Sequence, residues 1–190
     1  MIRRLLVLMI LGTASHFAAT ITVDFETLMD AELLTNQQSG LTFSNAIIYS
    51  AGISLNEFEF PPRSGANVAS DSGGPITILF SSPVASVSAF FTYVTPISVE
   101  AYSLANAWLG TATSSFQANL GISGDAGSSP NEQLTVTAPQ ISRLVITGDP
   151  AGVSFTLDDL TYTESPSGVP EPATWLAGLA AAALITWKRK

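Results

Sequence analysis

The chain has 190 residues, of which 46% are hydrophobic, and a formal net charge of −8. It contains no cysteine and a single histidine, His16, which excludes disulfide bonds, thiol nucleophiles and metal sites built from several histidines. The acidic balance disfavours nucleic acid and anionic lipid as partners.

The N-terminus predicts export. A basic start precedes an apolar run over residues 5–11, and small residues follow that run, which is the layout of a secretory signal peptide. We assign residues 1–19 to this signal, with Ala14, Ala18 and Ala19 as alternative cleavage positions. An uncleaved helix in the membrane is the alternative, although the apolar run is short for a span.

Residues 20–163 are predicted to form one all-β domain. Apolar and polar residues alternate in runs bounded by Gly, Pro, Asn, Asp and Ser, which indicates eight or nine strands. The first run places Ile21, Val23 and Phe25 on one face, and only residues 26–34 suggest a short helix or a capping turn. The expected fold is an antiparallel β-sandwich of jelly-roll-like type.

The last predicted strand contains a change of face. Its apolar residues have one parity before "DD" and the other parity after it: Val153, Phe155 and Leu157, then Leu160 and Tyr162. A strand that stays in one sheet can do this only through a β-bulge or a crossing between sheets. We therefore predict irregular backbone at the two aspartates.

Those aspartates belong to a predicted acidic group. The first and last strands of a sandwich often lie near each other, so four acids are candidates for a structural Ca²⁺ site: Asp24, Glu26, Asp158 and Asp159. Oxygen ligands on irregular backbone suit Ca²⁺. The alternatives are that these acids cap turns by accepting backbone N–H groups, or that two of them form the carboxylate pair of a glycosidase.

A second group is a candidate glycan contact. It combines aromatic, acidic, amide and guanidinium groups from "SLNEFEFPPRSG" with one tryptophan: Asn56, Glu57, Phe58, Glu59, Phe60, Arg63 and Trp108. Rings can stack on a sugar while amides and carboxylates bind its hydroxyls. The alternative is that the aromatic residues are core and that the acids form the solvated face of a strand.

The C-terminus predicts a membrane tether. A Pro/Ser/Gly linker over 164–172 precedes an apolar helix over 173–187 and a basic cytoplasmic end over 188–190. The helix would measure about 22 Å against roughly 30 Å of hydrocarbon, which makes it a marginal span. Its flanks are interfacial tryptophans and a positive-inside signal: Trp175, Trp187, Lys188, Arg189 and Lys190.

The order of these C-terminal parts resembles the PEP-CTERM sorting signal of Gram-negative bacteria. The residues that carry the resemblance are Val169, Pro170, Glu171 and Pro172, followed by the short helix and the basic end. The resemblance implies recognition and processing by exosortase, an integral-membrane cysteine protease, and an association with exopolysaccharide. The domain itself also resembles, more loosely, β-rich ectodomains found beside this signal.

Together these features predict an exported protein without enzymatic activity. It would be tethered to the inner membrane with its ectodomain in the periplasm, and would reach the cell surface or the extracellular matrix after processing. The expected partners are exosortase, exopolysaccharide and the membrane, and no nucleic acid is expected. A purely structural surface protein and a carboxylate-based glycan hydrolase are the alternatives.

Overall fold

The structure, a computed structural model, describes residues 18–165. Within that range the regular elements are ten β-strands. Their bounds are β1 Thr20–Val23, β2 Leu33–Leu34, β3 Leu41–Ser44, β4 Ala46–Ser50, β5 Asn67–Asp71, β6 Ile76–Tyr93, β7 Ser98–Tyr102, β8 Trp108–Thr113, β9 Glu132–Thr147 and β10 Phe155–Glu164. The predicted all-β class is confirmed, with ten strands where the sequence indicated eight or nine.

The strands form a continuous antiparallel ladder. Its order is β2-β4-β5-β10-β6-β9-β7-β8, with β1 paired to β10 and β3 paired to β6. The first and last strands are therefore neighbours, as predicted, and Thr20 lies opposite Thr163.

Two long strands divide this ladder into two layers. The pairing of β6 with β9 shifts register between Leu79 and Val84, where a bulge bends the strands. In one layer, the start of β6 pairs with β3 and with the end of β9, and β7 and β8 continue the ladder beyond β9. In the other layer, the end of β6 pairs with β10 and with the start of β9. The layers face each other as in a sandwich, and a small gap of about 10 Å³ between them is lined by residues of both.

The core follows the predicted alternation. Ile76, Ile78 and Phe80 are buried on one side of β6, and its later half buries Val87, Ala89, Phe91 and Tyr93. These are the residues that the period-2 pattern placed on one face of each strand. The side chains of both layers form one hydrophobic cluster.

The change of face in β10 is confirmed. Phe155 and Leu157 are buried before the aspartates, and Leu160 and Tyr162 are buried after them. The pairing with β6 shifts register between Asp158 and Thr161. Asp159 has a φ of 48°, so the irregularity is a bulge that lies within the strand.

Two local predictions need correction, and the structure decides one alternative that the sequence left open. Val153 does not belong to the buried face, because it precedes the strand, has a φ of 55° and is 62% exposed. Strand β1 ends at Val23, although Phe25 beyond it is still fully buried. Residues 26–34 form turns followed by the short strand β2, so the turn alternative applies rather than the helix.

Several predicted segments lie outside the described residues. They are residues 1–17 of the signal peptide predicted over 1–19, the sorting signal of 169–172, the apolar helix predicted over 173–187 and the basic end over 188–190. Among residues 18–165, no helix is long and apolar enough to cross a membrane.

Candidate functional site

A cleft lies where the loop between β4 and β5, residues 51–66, passes over β5 and the start of β10. Its cavity volume is about 240 Å³. The lining residues are Tyr49, Ser54, Leu55, Asn56, Phe60, Ser70, Val153, Phe155 and Thr156. Three strands and two loops therefore build the cleft.

The lining combines rings with hydroxyl and amide groups. Tyr49 and Phe60 are half-buried, so their rings are accessible from solvent. Ser70 Oγ donates a hydrogen bond to the Phe155 carbonyl at 2.8 Å, which fixes the floor. Ile53, in the β4–β5 loop but not among the lining residues, is 74% exposed.

Asp158 fixes the end of the loop to β10. Its carboxylate accepts the backbone N–H groups of Arg63 at 2.8 Å and Ser64 at 2.9 Å, and also that of Asp159 at 2.7 Å. The side chain is 1% exposed. Burial raises the pKa of Asp158 to about 6, and the three backbone hydrogen bonds limit that rise.

Glu26 fixes the loop where it enters β5. One of its carboxylate oxygens accepts the N–H groups of Ala66 at 3.0 Å and Asn67 at 2.8 Å. Gly65 has a φ of 55°, and a Cβ added there would lie 2.2 Å from Glu26 Cδ. Glycine is required at position 65 because a side chain there would overlap the Glu26 carboxylate and because the positive φ disfavours other residues.

A second loop, residues 114–131, supports the first one. Glu59 accepts the N–H groups of Ile122 and Ser123, both at 3.1 Å, and these hydrogen bonds lower the pKa of Glu59. Asn131 donates through its side-chain amide to the Pro61 carbonyl at 3.0 Å. The two loops thus hold each other by polar contacts.

Asn119 anchors the second loop in the core. It is fully buried and accepts the N–H of Tyr93 at 2.7 Å, while its amide donates to the carbonyls of Phe91 at 2.9 Å and Ser129 at 3.1 Å. Sequence reasoning missed this residue. An asparagine among "SSFQANLGISG" is an ordinary turn residue, and nothing local distinguishes a buried one.

The structure does not gather the predicted calcium ligands. Asp24 accepts the N–H of Glu26, Glu26 accepts N–H groups of the β4–β5 loop, and Asp159 accepts the Ser64 hydroxyl at 2.8 Å. Among residues 18–165, no three acidic side chains lie in an arrangement that could hold a metal ion. Asp24, Glu26 and Asp158 accept backbone N–H groups, as in the turn-capping alternative, whereas Asp159 accepts a hydroxyl group.

The predicted glycan-contact residues are dispersed. Asn56 lines the cleft, Glu57 is half-buried in the loop, and Phe58 is 71% exposed rather than part of the core. Glu59 accepts hydrogen bonds from the backbone of the second loop.

Two other members lie elsewhere on the surface. Arg63 is placed over the ring of Phe90 at 4.5 Å. Trp108 is on β8, which is the last strand at one end of the ladder, whereas β4 and β5 of the cleft lie towards the other end.

Phe60, which the sequence placed in the same mixture as Asn56, lines the cleft with it. Tyr49 was missed by sequence reasoning, as Asn119 was, although its outward parity in "AIIYS" was a usable signal.

Comparisons with known proteins find likeness of fold. No protein-family model matches the chain, and no curated protein matches it. A cleaved adhesin domain of Lys-gingipain from Porphyromonas gingivalis is 11% identical, with 78% of this chain and 99% of that chain covered and a TM-score of 0.48. At this level of similarity the likeness assigns neither a family nor a ligand.

Two carbohydrate-binding domains are similar at comparable levels. A carbohydrate-binding module of family 29 is 10% identical, with 83% of this chain and 97% of that chain covered and a TM-score of 0.40. The CBM22-1 xylan-binding domain from Paenibacillus barcinonensis is 13% identical, with 81% of this chain and 100% of that chain covered and a TM-score of 0.39.

Proposed function

We propose that this chain is an exported surface protein, sorted by its PEP-CTERM signal and processed by exosortase. Its β-sandwich binds a segment of neutral exopolysaccharide in the cleft beneath the β4–β5 loop, without cleaving it. The sorting and the binding depend on different parts of the chain and are tested separately.

The sorting part is supported by the C-terminal residues. Proline restricts φ and has no backbone N–H, so Pro170 and Pro172 favour an extended segment that a protease would bind at low entropic cost. Glu171 supplies one charge close to the membrane surface. The marginal length of the helix predicted over 173–187 suits a tether that is removed after use.

Mass spectrometry of the surface protein tests this processing. In cells with active exosortase the mature protein should lack its "TWKRK" end, and a Pro170→Ala/Pro172→Ala variant should retain it. Processing that is unchanged in the variant, or an intact end in the wild type, contradicts the proposal.

The binding part depends on one observation: the cleft combines accessible rings with hydroxyl and amide groups, and no carboxylate is among its lining residues. Rings stack on the apolar face of a sugar, and the polar groups satisfy its hydroxyls. Residues 18–165 hold every acidic residue of the chain except Glu171, but only two of the seven basic residues, Arg63 and Arg143. Such a domain repels anionic polymers, so the ligand class is a neutral glycan.

Titration of the full chain with soluble neutral oligosaccharides tests the cleft. Phe60→Ala should weaken binding by about tenfold, because one stacked ring contributes on the order of 1 kcal/mol or more. Phe58→Ala is the matched control, since Phe58 is in the same loop but does not line the cleft. Equal effects of the two substitutions, or no binding to any oligosaccharide, contradict the proposal and favour a purely structural role.

The hydrolase alternative is tested in the same samples. A glycosidase needs two carboxyl groups on either side of the scissile bond, whereas Asp158 uses both of its oxygens to accept backbone N–H groups. Release of reducing ends that Asp158→Asn abolishes would overturn the non-enzymatic proposal.

A further inference from the structure

Eight hydroxyl side chains form two rows across the outer side of the β10 layer. In one row Thr22 lies opposite Thr161, which lies opposite Ser88, which lies opposite Thr135. The second row is formed in the same way by Thr20, Thr163, Ser86 and Thr137. We call these eight residues the hydroxyl face.

The fold creates this face through alternation and through the bulge. In β9 the hydroxyl residues alternate with buried Leu134 and Val136. In β10 the bulge at Asp159 reverses the parity, so that Tyr162 points into the core and Thr161 and Thr163 point outward. Without that bulge the two threonines would face the core.

The spacing of the face is regular. Neighbouring strands lie about 4.8 Å apart, and every second residue along a strand advances roughly 6.7 Å. Thr22 and Thr161 bond through their Oγ1 atoms at 2.8 Å, and Thr20 and Thr163 do so at 3.2 Å. Each hydroxyl has one donor and two acceptor sites. Thr161 also donates to the Asp159 carbonyl at 3.1 Å, so the Thr22–Thr161 pair retains acceptor sites for an external partner.

The face is accessible and uncharged. Thr20, Thr22, Thr135 and Thr137 are exposed, and the four inner positions are half-buried. None of the eight positions carries charge, although the domain around them is strongly acidic. A complementary partner is therefore uncharged, rich in hydroxyl groups and periodic.

We infer that the hydroxyl face is a second binding surface, which takes neutral polysaccharide in an ordered, insoluble form. A chain lying along a row crosses four strands, and each strand offers it one hydroxyl. Parallel chains in an ordered array would meet both rows at once. This surface does not include the cleft, which takes a single soluble chain segment.

Retention of the full chain on insoluble neutral polysaccharides tests the inference. The probes are microcrystalline cellulose, chitin and curdlan. A variant with Thr135→Val, Thr137→Val, Ser86→Ala and Ser88→Ala should bind at least about tenfold more weakly to the retaining polymer, because each lost hydrogen bond contributes on the order of 0.5–1.5 kcal/mol. Its thermal unfolding must match the wild type, which shows that the sandwich is intact.

Three controls separate the surfaces. Thr135→Ser/Thr137→Ser retains the hydroxyls and should retain binding. Thr111→Val/Thr113→Val makes the same chemical change on edge strand β8 and should have no effect. Phe60→Ala should weaken binding of soluble oligosaccharide while leaving retention on the solid unchanged, so failure at the cleft and failure at the face are distinguishable.

Three results would overturn the inference. They are retention of the four-residue variant equal to that of the wild type, no retention on any of the three solids, and loss of retention with Phe60→Ala equal to that with the four-residue variant.

Discussion

The two halves of strand β10 differ in what covers them. Before the bulge, Thr156 and Asp158 point outward but are 5% and 1% exposed, because the β4–β5 loop lies over them. After the bulge, Thr161 and Thr163 also point outward and are half-buried, and within residues 18–165 their hydroxyls bond to Thr22 and Thr20 of strand β1 rather than to a loop. One strand thus contributes to a cleft at one end and to an open face at the other.

The difference shows how a covering loop changes the requirements on a sheet. Beneath the loop, each buried polar group needs a partner, and Asp158 supplies acceptors for the backbone of residues 63 and 64. On the open half, water or a ligand can satisfy the hydroxyl groups. Substitutions should therefore cost much beneath the loop and little on the open half.

Asp158→Ala should have the largest effect. It leaves two partly buried N–H groups of the loop without acceptors, and we expect the free energy of unfolding to fall by about 3 kcal/mol. Urea denaturation measures the change. Asp159→Asn is the matched control, because asparagine tolerates the positive φ and can still accept the Ser64 hydroxyl; equal losses in the two variants would show that Asp158 is not the anchor.

The pH dependence of stability should differ between the wild type and Asp158→Asn. Burial raises the pKa of Asp158 from 3.8 to about 6, so the native state binds this proton more tightly than the unfolded state. The stabilisation is present below about pH 4 and is lost as the pH rises through about 6. Between pH 7 and pH 4 the wild type should gain about 2 kcal/mol relative to Asp158→Asn, as measured by urea denaturation at each pH; parallel pH curves would contradict the assignment.

Gly65→Ala should destabilise more than Gly52→Ala. Both glycines have positive φ, but a Cβ at Gly52 meets no atom within 4 Å, whereas at Gly65 it displaces the Glu26 carboxylate. Both substitutions introduce the same kind of backbone strain, which cancels in the comparison. The free energy of unfolding should therefore fall by about 1–2 kcal/mol more in Gly65→Ala, because the hydrogen bonds from residues 66 and 67 to Glu26 are lost. Thermal unfolding of the two variants gives this comparison, and equal melting temperatures would count against Glu26 as an anchor.

Thr135→Val/Thr137→Val should have the smallest effect on stability. Valine has nearly the same shape and favours strands, and both positions are exposed. We expect a change within about 0.5 kcal/mol per residue, measured by urea denaturation. A larger loss would mean that the hydroxyl face contributes to folding as well as presenting a binding surface.

Local patterns predicted much of the fold. The alternation in β6 gave its buried residues, and the parity change in "FTLDDL" gave the bulge at Asp159, because both depend only on the two-residue period of a strand. The site was less predictable. Asn56 and Phe60 were among the predicted contacts, whereas Tyr49 was not, because its proximity to them depends on a loop that returns over the sheet.

The sequence by itself determined the all-β class, the alternation of faces and the position of the bulge, since these follow from residues adjacent in the chain. Only the tertiary structure decided which carboxylate meets which backbone N–H group and which hydroxyl lies beside which. Asp158 and Ser64 are 94 residues apart in sequence, and Thr22 and Thr161 are 139 apart. Such contacts depend on strand order and register, which a local pattern does not encode.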